Sequence, residues 1–285
     1  MLELYFSSDK EAIRFCEQLF QYNKKIELHW KTHEEWGNQL LLDENNSPYR
    51  LMECLVKSMI DVFLIHRLTP MLKNIITGKY YYSNTEEIER LLELTNWIFL
   101  GDDADSLELR GADDPLEMLQ ALFYANINTL RVIHFDSIIQ FRMQPFKKRL
   151  IDYVGLAIDE FKREEDHQTF INTVREYVTK REVNYSTIHI LQGDPFIFFR
   201  ENGTLIQNDE LQNIMQKEPL FMIGLHSGEM NLSPLVAMQP RCIIIYGDDP
   251  SEPKTQTIMN IFEERVTLMS KQQFPFSYYG LHNQL

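Results

Sequence analysis

Between Phe146 and Leu191 the apolar side chains change spacing from that of a helix to that of a strand, so the chain must contain helix feeding into sheet here. Ile151, Val154, Ile158 and Phe161 recur at offsets of three and four, which keeps them on one helical face. Pro145 fits the first turn, where its missing N–H has no intrahelical partner. After the charged run from Lys162 to Asp166, the stripe Ile171, Val174 and Val178 resumes the same period. The run contains neither Gly nor Pro, so a hairpin and one long helix both remain open. The period then shortens. Ser186–Leu191, Phe196–Arg200 and Thr204–Gln207, separated by the turn formers Gln192-Gly-Asp-Pro195 and Glu201-Asn-Gly203, predict a meander of short strands.

Leu2-Glu-Leu-Tyr-Phe6 alternates as a strand does, and Ser7-Ser-Asp9 supplies cap residues for a helix that should bury Ile13, Cys16, Leu19 and Phe20. Ile26–Trp30 and Gln39–Leu42 predict a hairpin around Glu34-Glu-Trp-Gly37. From Pro48 to about Met143 the pattern is helical. One stripe runs through Leu51, Leu55, Met59, Val62 and His66, and Pro70 should kink or end that helix. A second helix begins at Ser83-Asn-Thr85 and ends at Gly101, and a third begins at Asp113-Asp-Pro115 and runs to Ile139. Past Gln207 the order alternates: a strand Leu220–Gly224, a helix near Glu229–Met238, a strand Arg241–Tyr246, a helix Pro253–Phe262 and a strand Arg265–Val266-Thr-Leu268. That alternation predicts parallel pairing with crossover helices. The expected fold is α+β: a small N-terminal β-α-β-β lobe (1–45), a helical region (46–184) and a C-terminal α/β part with a mixed sheet (185–285), able to pack as one domain.

Charge and cysteine content exclude several functions. The formal net charge of -14 repels polyphosphate, so nucleic acid is not the expected partner. Arg142, Lys147, Lys148 and Arg149 form a basic cluster, but Asp152, Asp159 and Glu160 follow it, as on a solvated helix face. The acidic residues concentrate between Glu86 and Asp136, where only Arg90, Arg110 and Arg131 oppose them. Cys16, Cys54 and Cys242 are odd in number and form no CxxC pair, which fits reduced thiols in a cytosol. The N-terminus lacks the regions of a signal peptide, and the most apolar run, Leu51–Leu68, is broken by Glu53, Lys57, Asp61, His66 and Arg67. No membrane partner is expected.

Candidate chemistry is sparse. His29 and His33 share a strand face roughly 13 Å apart, too far for one metal ion. Gly101-Asp-Asp-Ala-Asp-Ser106 lacks the glycine and closing glutamate of a calcium loop. His134 and His189 have no partner in sequence, and the tryptophans Trp30, Trp36 and Trp97 suit packing. His226-Ser-Gly-Glu229 follows an expected strand and precedes an expected helix, where α/β folds hold ligands. With Asp248 it gives a ligand-binding candidate: His226, Ser227, Glu229 and Asp248, with Ser227 equally suited to cap the helix. No catalytic residue, metal or cofactor is expected.

Several stretches resemble the YtxC-like sporulation proteins of endospore-forming bacteria. They include Leu150-Ile-Asp-Tyr-Val154, Asp159-Glu-Phe-Lys-Arg163, Phe170–Val178, Ile188-His-Ile190, Met230–Pro240 and Cys242–Tyr246. The shared positions are core positions, so the resemblance implies a fold and a cytoplasmic, sporulation-associated setting and supplies no catalytic residue. The function expected is non-enzymatic binding of a macromolecule, most simply another protein. The alternative is an enzyme or small-ligand sensor with its site near His226 and Asp248.

Overall fold

A computed structural model of the chain describes residues 2–24, 26–34, 37–42, 48–111, 114–127, 131–226 and 228–277. The chain divides into two compact units, Met1–Arg163 and Glu164–Leu285.

The first unit begins with β1 (Leu2–Phe6), α1 (Asp9–Tyr22), β2 (Leu28–His33) and β3 (Gly37–Leu42). Helix α2 (Pro48–Phe63) passes through a π-helical turn, Leu64–Leu68, into α3 (Thr69–Gly78). Pro70 sits in the first turn of α3, so the widened turn before it absorbs the missing hydrogen bond without ending the helical path. Then follow α4 (Thr85–Leu100), α5 (Ala104–Arg110), α6 (Pro115–Ile127), β4 (Val132–His134), α7 (Phe135–Ser137), a second π-helical turn at Ile138–Arg142, and α8 (Gln144–Thr179). Asn84 caps α4 by accepting from the N–H groups of Glu86 and Glu87, as its position before two glutamates predicts.

The strands order as β2-β3-β1-β4, with β1 antiparallel to β3 and parallel to β4. Strand β4 lies where the apolar pattern reads as helix, because three residues are too few to display a period of two. Leu2, Leu4, Phe6, Leu40, Leu42 and Ile133 form the buried face. Helix α1 covers it with Ala12, Phe15, Cys16 and Leu19, whereas Ile13 and Phe20 lie 47% and 40% exposed. The stripe predicted for α1 is therefore rotated by part of a turn: two overlapping sets at offsets of three and four exist, and the sheet selects the one containing Phe15.

Helix α8 is continuous over 36 residues, and the unit boundary falls inside it. Leu150, Tyr153, Val154, Ala157 and Ile158 are buried in the first core, and Ile151 is only half-buried. Residues 162–169 are all exposed. With no breaker there, and with Arg163 paired to Glu160 at 3.0 Å, helix propensity carries the chain across. Ile171, Val174 and Val178 are buried in the second core as predicted.

The second unit continues with β5 (Tyr185–Leu191), β6 (Ile197–Arg200), α9 (Asn208–Gln216), a 3-10 turn at Leu220–Ile223, α10 (Ser233–Met238), β7 (Pro240–Tyr246), α11 (Pro253–Phe262), a 3-10 turn at Glu263–Arg265, β8 (Val266–Met269) and a last 3-10 turn at Lys271–Gln273. The order is β6-β5-β7-β8, with β5, β7 and β8 parallel and β6 antiparallel. Its strands form a sheet separate from the N-terminal one. One face, with Ile188, Ile190, Phe198, Ile243 and Ile245, packs on Val174, Leu211, Leu235, Val236 and Ile258. The other presents Leu191, Phe199 and Tyr246 to Phe274. Phe276 meets His189 there, with ring centres 5.0 Å apart.

Three expectations in this unit are corrected. Leu220–Ile223 is a 3-10 turn: Gly224 takes φ +77, a left-handed conformation that closes the turn instead of extending it. Among the described residues Thr204–Gln207 forms no strand and makes one isolated bridge, Leu205 to Phe199. The helix near Glu229 starts at Ser233, since Pro234 in its first turn sets the entry.

Candidate functional site

The parallel strands β5, β7 and β8 end on one edge of the C-terminal sheet, and their following loops converge there. Gln192 follows β5, and its side chain crosses to the loop after β7. Its amide donates to the Asp249 carbonyl (2.7 Å) and to Thr255 Oγ1 (2.9 Å), while Asp249 N–H donates to its Oε1 (3.3 Å). Gly247 permits this: a Cβ there would stand 2.0 Å from Gln192 Oε1. The crevice where an α/β sheet would receive a ligand is thus filled by a glutamine from the fold itself.

The neighbouring carboxylates are engaged as caps. Glu229 accepts from the N–H groups of Asn231 (2.9 Å), Leu232 (2.7 Å) and Ser233 (2.7 Å), which makes it the N-terminal anchor of α10. Glu252 accepts from Thr255 N–H at the start of α11. Asp249 accepts from both the hydroxyl and the N–H of Ser251, and these bonds hold its carboxyl below the usual range. Lys254 donates to Asp194 at 2.7 Å, which raises its pKa; Glu252 and Glu229 add smaller effects of the same sign.

The predicted site residues separate into two roles and one gap. His226 is exposed, and its carbonyl accepts from Glu229 N–H and Ser233 Oγ, so His226 and Glu229 share one turn. Because Leu220–Ile223 is a 3-10 turn, His226 does not stand at a strand end. Asp248 accepts from Ser270 Oγ (3.0 Å) and Lys271 N–H (3.1 Å), tying the loops after β7 and β8 together. Ser227 lies outside the described residues. Among the described residues no group of three His, Cys, Asp or Glu side chains is placed to hold a metal ion.

The remaining titratable candidates are also built in. His189 is buried, with Nδ1 3.1 Å from the Tyr246 hydroxyl, and burial lowers its pKa. His134 stacks on Tyr5 with ring centres 4.6 Å apart. Asp136 accepts from Arg67, which also binds the buried Glu11. Asp103 in the acidic turn caps α5 through Ser106 N–H and accepts from Trp97 Nε1. His29 and His33 are exposed on β2. Trp36 and Asp113 lie outside the described residues.

A depression in the first unit is lined by Tyr80, Tyr153 and Arg110, with Arg149, Asp152 and Asp159 from the basic cluster and its acidic neighbours, residues that the sequence reading took as surface charges and did not bring together. The one signal for it in the sequence is Gly155, a residue unfavourable inside a helix. A Cβ at Gly155 would stand 3.3 Å from the Tyr80 hydroxyl, which donates to the Ile151 carbonyl.

Two four-stranded mixed sheets, one in each unit, and a strand-end cluster whose polar groups bind one another define the class: an α+β protein with its C-terminal loops locked by internal hydrogen bonds. The chain belongs to the YtxC-like family, whose sequence model matches residues 53–267. It is 24% identical over 295 residues to the protein described as "Uncharacterized protein YtxC" of Bacillus subtilis (strain 168), with 96% of each chain covered. No solved structure matches it.

Proposed function

We propose that this protein is a cytoplasmic, sporulation-associated binding protein that acts by docking a basic, partly apolar protein partner on helices α4 to α6. The observation that carries this reading is the surface of residues 86–117. Glu86, Glu89, Glu93, Asp102, Asp103, Asp105, Glu108, Asp114 and Glu117 are exposed there. The cations in that stretch are engaged locally: Arg90 pairs with Glu93, and Arg110 donates to the carbonyls of Ile98 and Phe99. Leu100, Leu107 and Leu116 are 47%, 44% and 41% exposed in the same stretch, so apolar contact area accompanies the charge. Acidic rim and exposed leucines together suit a partner with the opposite sign and an apolar face.

The test is affinity capture with the wild-type chain beside a Glu89→Lys/Glu108→Lys variant and a Leu107→Ser/Leu116→Ser variant, all in one salt series. A basic protein retained by the wild type, released by salt and weakened about tenfold or more by each pair is the expected result. Equal retention by all three chains would refute it.

A further inference from the structure

The depression in the first unit has a volume of about 470 Å³, within the range of small-ligand sites. Two of its lining residues each carry a buried polar atom with no hydrogen-bond partner among the described residues. Tyr153 is 1% exposed and its hydroxyl is unpaired, and the buried Nε–H of Arg110 is unpaired as well. Buried polar atoms are nearly always satisfied, so two orphaned donors on one depression point to an acceptor that belongs there. Arg110 is not free to seek another, since Nη1 is held by the Ile98 and Phe99 carbonyls. Tyr153 is held too, its ring packed edge-on against Phe99 and beneath the guanidinium of Arg149.

The charge of the lining narrows the acceptor. Arg110 and Arg149 are matched by Asp152 and Asp159. Asp152 is 3.6 Å from Arg149, while Asp159 is exposed and makes no ion pair among the described residues. Both carboxylates line the depression beside Tyr80. A dianion such as inorganic phosphate would meet their repulsion; a molecule with one negative and one positive end meets complementary charge at each. Leu109 and Leu156 supply apolar wall between the ends.

We propose that this depression binds a small zwitterion of the amino-acid type, its carboxylate accepting from Arg110 Nε–H and the Tyr153 hydroxyl and its ammonium group facing Asp159. The site shares Leu109 and Arg110 with the stretch that carries the acidic docking surface, but it does not use the exposed carboxylates and leucines on which that reading rests, so the two are tested by different variants. Its test is calorimetric titration and thermal denaturation of the full chain with each proteinogenic amino acid alone, with acetate and methylammonium as half-ligands. At least one amino acid should bind saturably and raise the melting temperature, and neither half-ligand should do so at equal concentration. Tyr153→Phe keeps the ring packed and Asp159→Asn alters an exposed position, so both fold. Each should weaken binding by about tenfold. Binding by no amino acid, binding unchanged in both variants, or an equal response to acetate alone would overturn the assignment.

Discussion

The two sheets have equal strand numbers and both mix parallel with antiparallel pairing, but they differ in how many faces they cover. In the N-terminal sheet, β1 alternates Leu2, Leu4 and Phe6 inward with Glu3 and Tyr5 outward. The outward side carries a polar network: Gln39 donates to the Tyr5 hydroxyl (2.7 Å) and to Glu3 (3.2 Å). In the C-terminal sheet, β7 runs Cys242-Ile-Ile-Ile-Tyr246, and both sides are packed, helices against one and Phe274 with Phe276 against the other. Alternation in a strand therefore reports one covered face and continuity reports two. The pattern does not say what provides the second cover. Here it is a short segment after β8 with no period of its own.

The largest effect should come from removing that second cover. Phe274→Ala with Phe276→Ala should destabilise the C-terminal unit by about 3 kcal/mol, as partial loss of two ring contacts requires. Tyr5→Ala, on the outer side of the N-terminal sheet, should cost about 1 kcal/mol through its lost hydrogen bonds. Urea unfolding with hydrogen exchange at β1 and β7 reads both, and equal costs would break the comparison. A smaller effect follows at the filled crevice. Gly247→Ala should displace Gln192 and cost about 2 kcal/mol, and Gln192→Ala in the same chain should recover part of the loss in a double-mutant cycle. Independent, additive losses would mean the glutamine does not occupy that space.

The smallest effect is a pH slope. Burial holds His189 neutral in the folded unit, and the weaker field of Glu201 opposes this. Above the ordinary imidazole pKa neither state is protonated there, so stability is complete. As pH falls below it toward the lower folded value, the unfolded chain takes up a proton the folded chain lacks, and stability declines. Unfolding midpoints between neutral and mildly acidic pH should show this decline, and His189→Phe should flatten it. An unchanged slope in the variant would assign the acid sensitivity elsewhere.

Much of the fold was legible because its signals are local. The hairpin β2–β3, the Asn84 cap, the stripe of Ile171, Val174 and Val178, and the run of β7 all depend on residues near one another in sequence. Strand β4 was not legible, since it exists through pairing of Val132–His134 with Glu3–Tyr5, far away in the chain. Helix α9 was missed where a polar run with two apolar anchors, Leu211 and Met215, offers a weak stripe. His226, Glu229 and Asp248 stand out in the sequence, but their spacing could not reveal that Glu229 anchors three N–H groups of α10 or that His226 follows a 3-10 turn and not a strand. The zwitterion depression draws on Tyr80, Arg110 and α8, and only Gly155 hinted at a close approach.

The three thiols are divided between the units, Cys16 and Cys54 buried in the first and Cys242 half-buried on β7 in the second. Burial pushes the Cys16 pKa up to about 11, so its reactive thiolate is scarce at neutral pH. The native chain thus contains its own opening sensors. Alkylation of Cys16 should require α1 to open from the sheet, and mass spectrometry of the labelled peptides would compare the loosening of each half without any engineered probe.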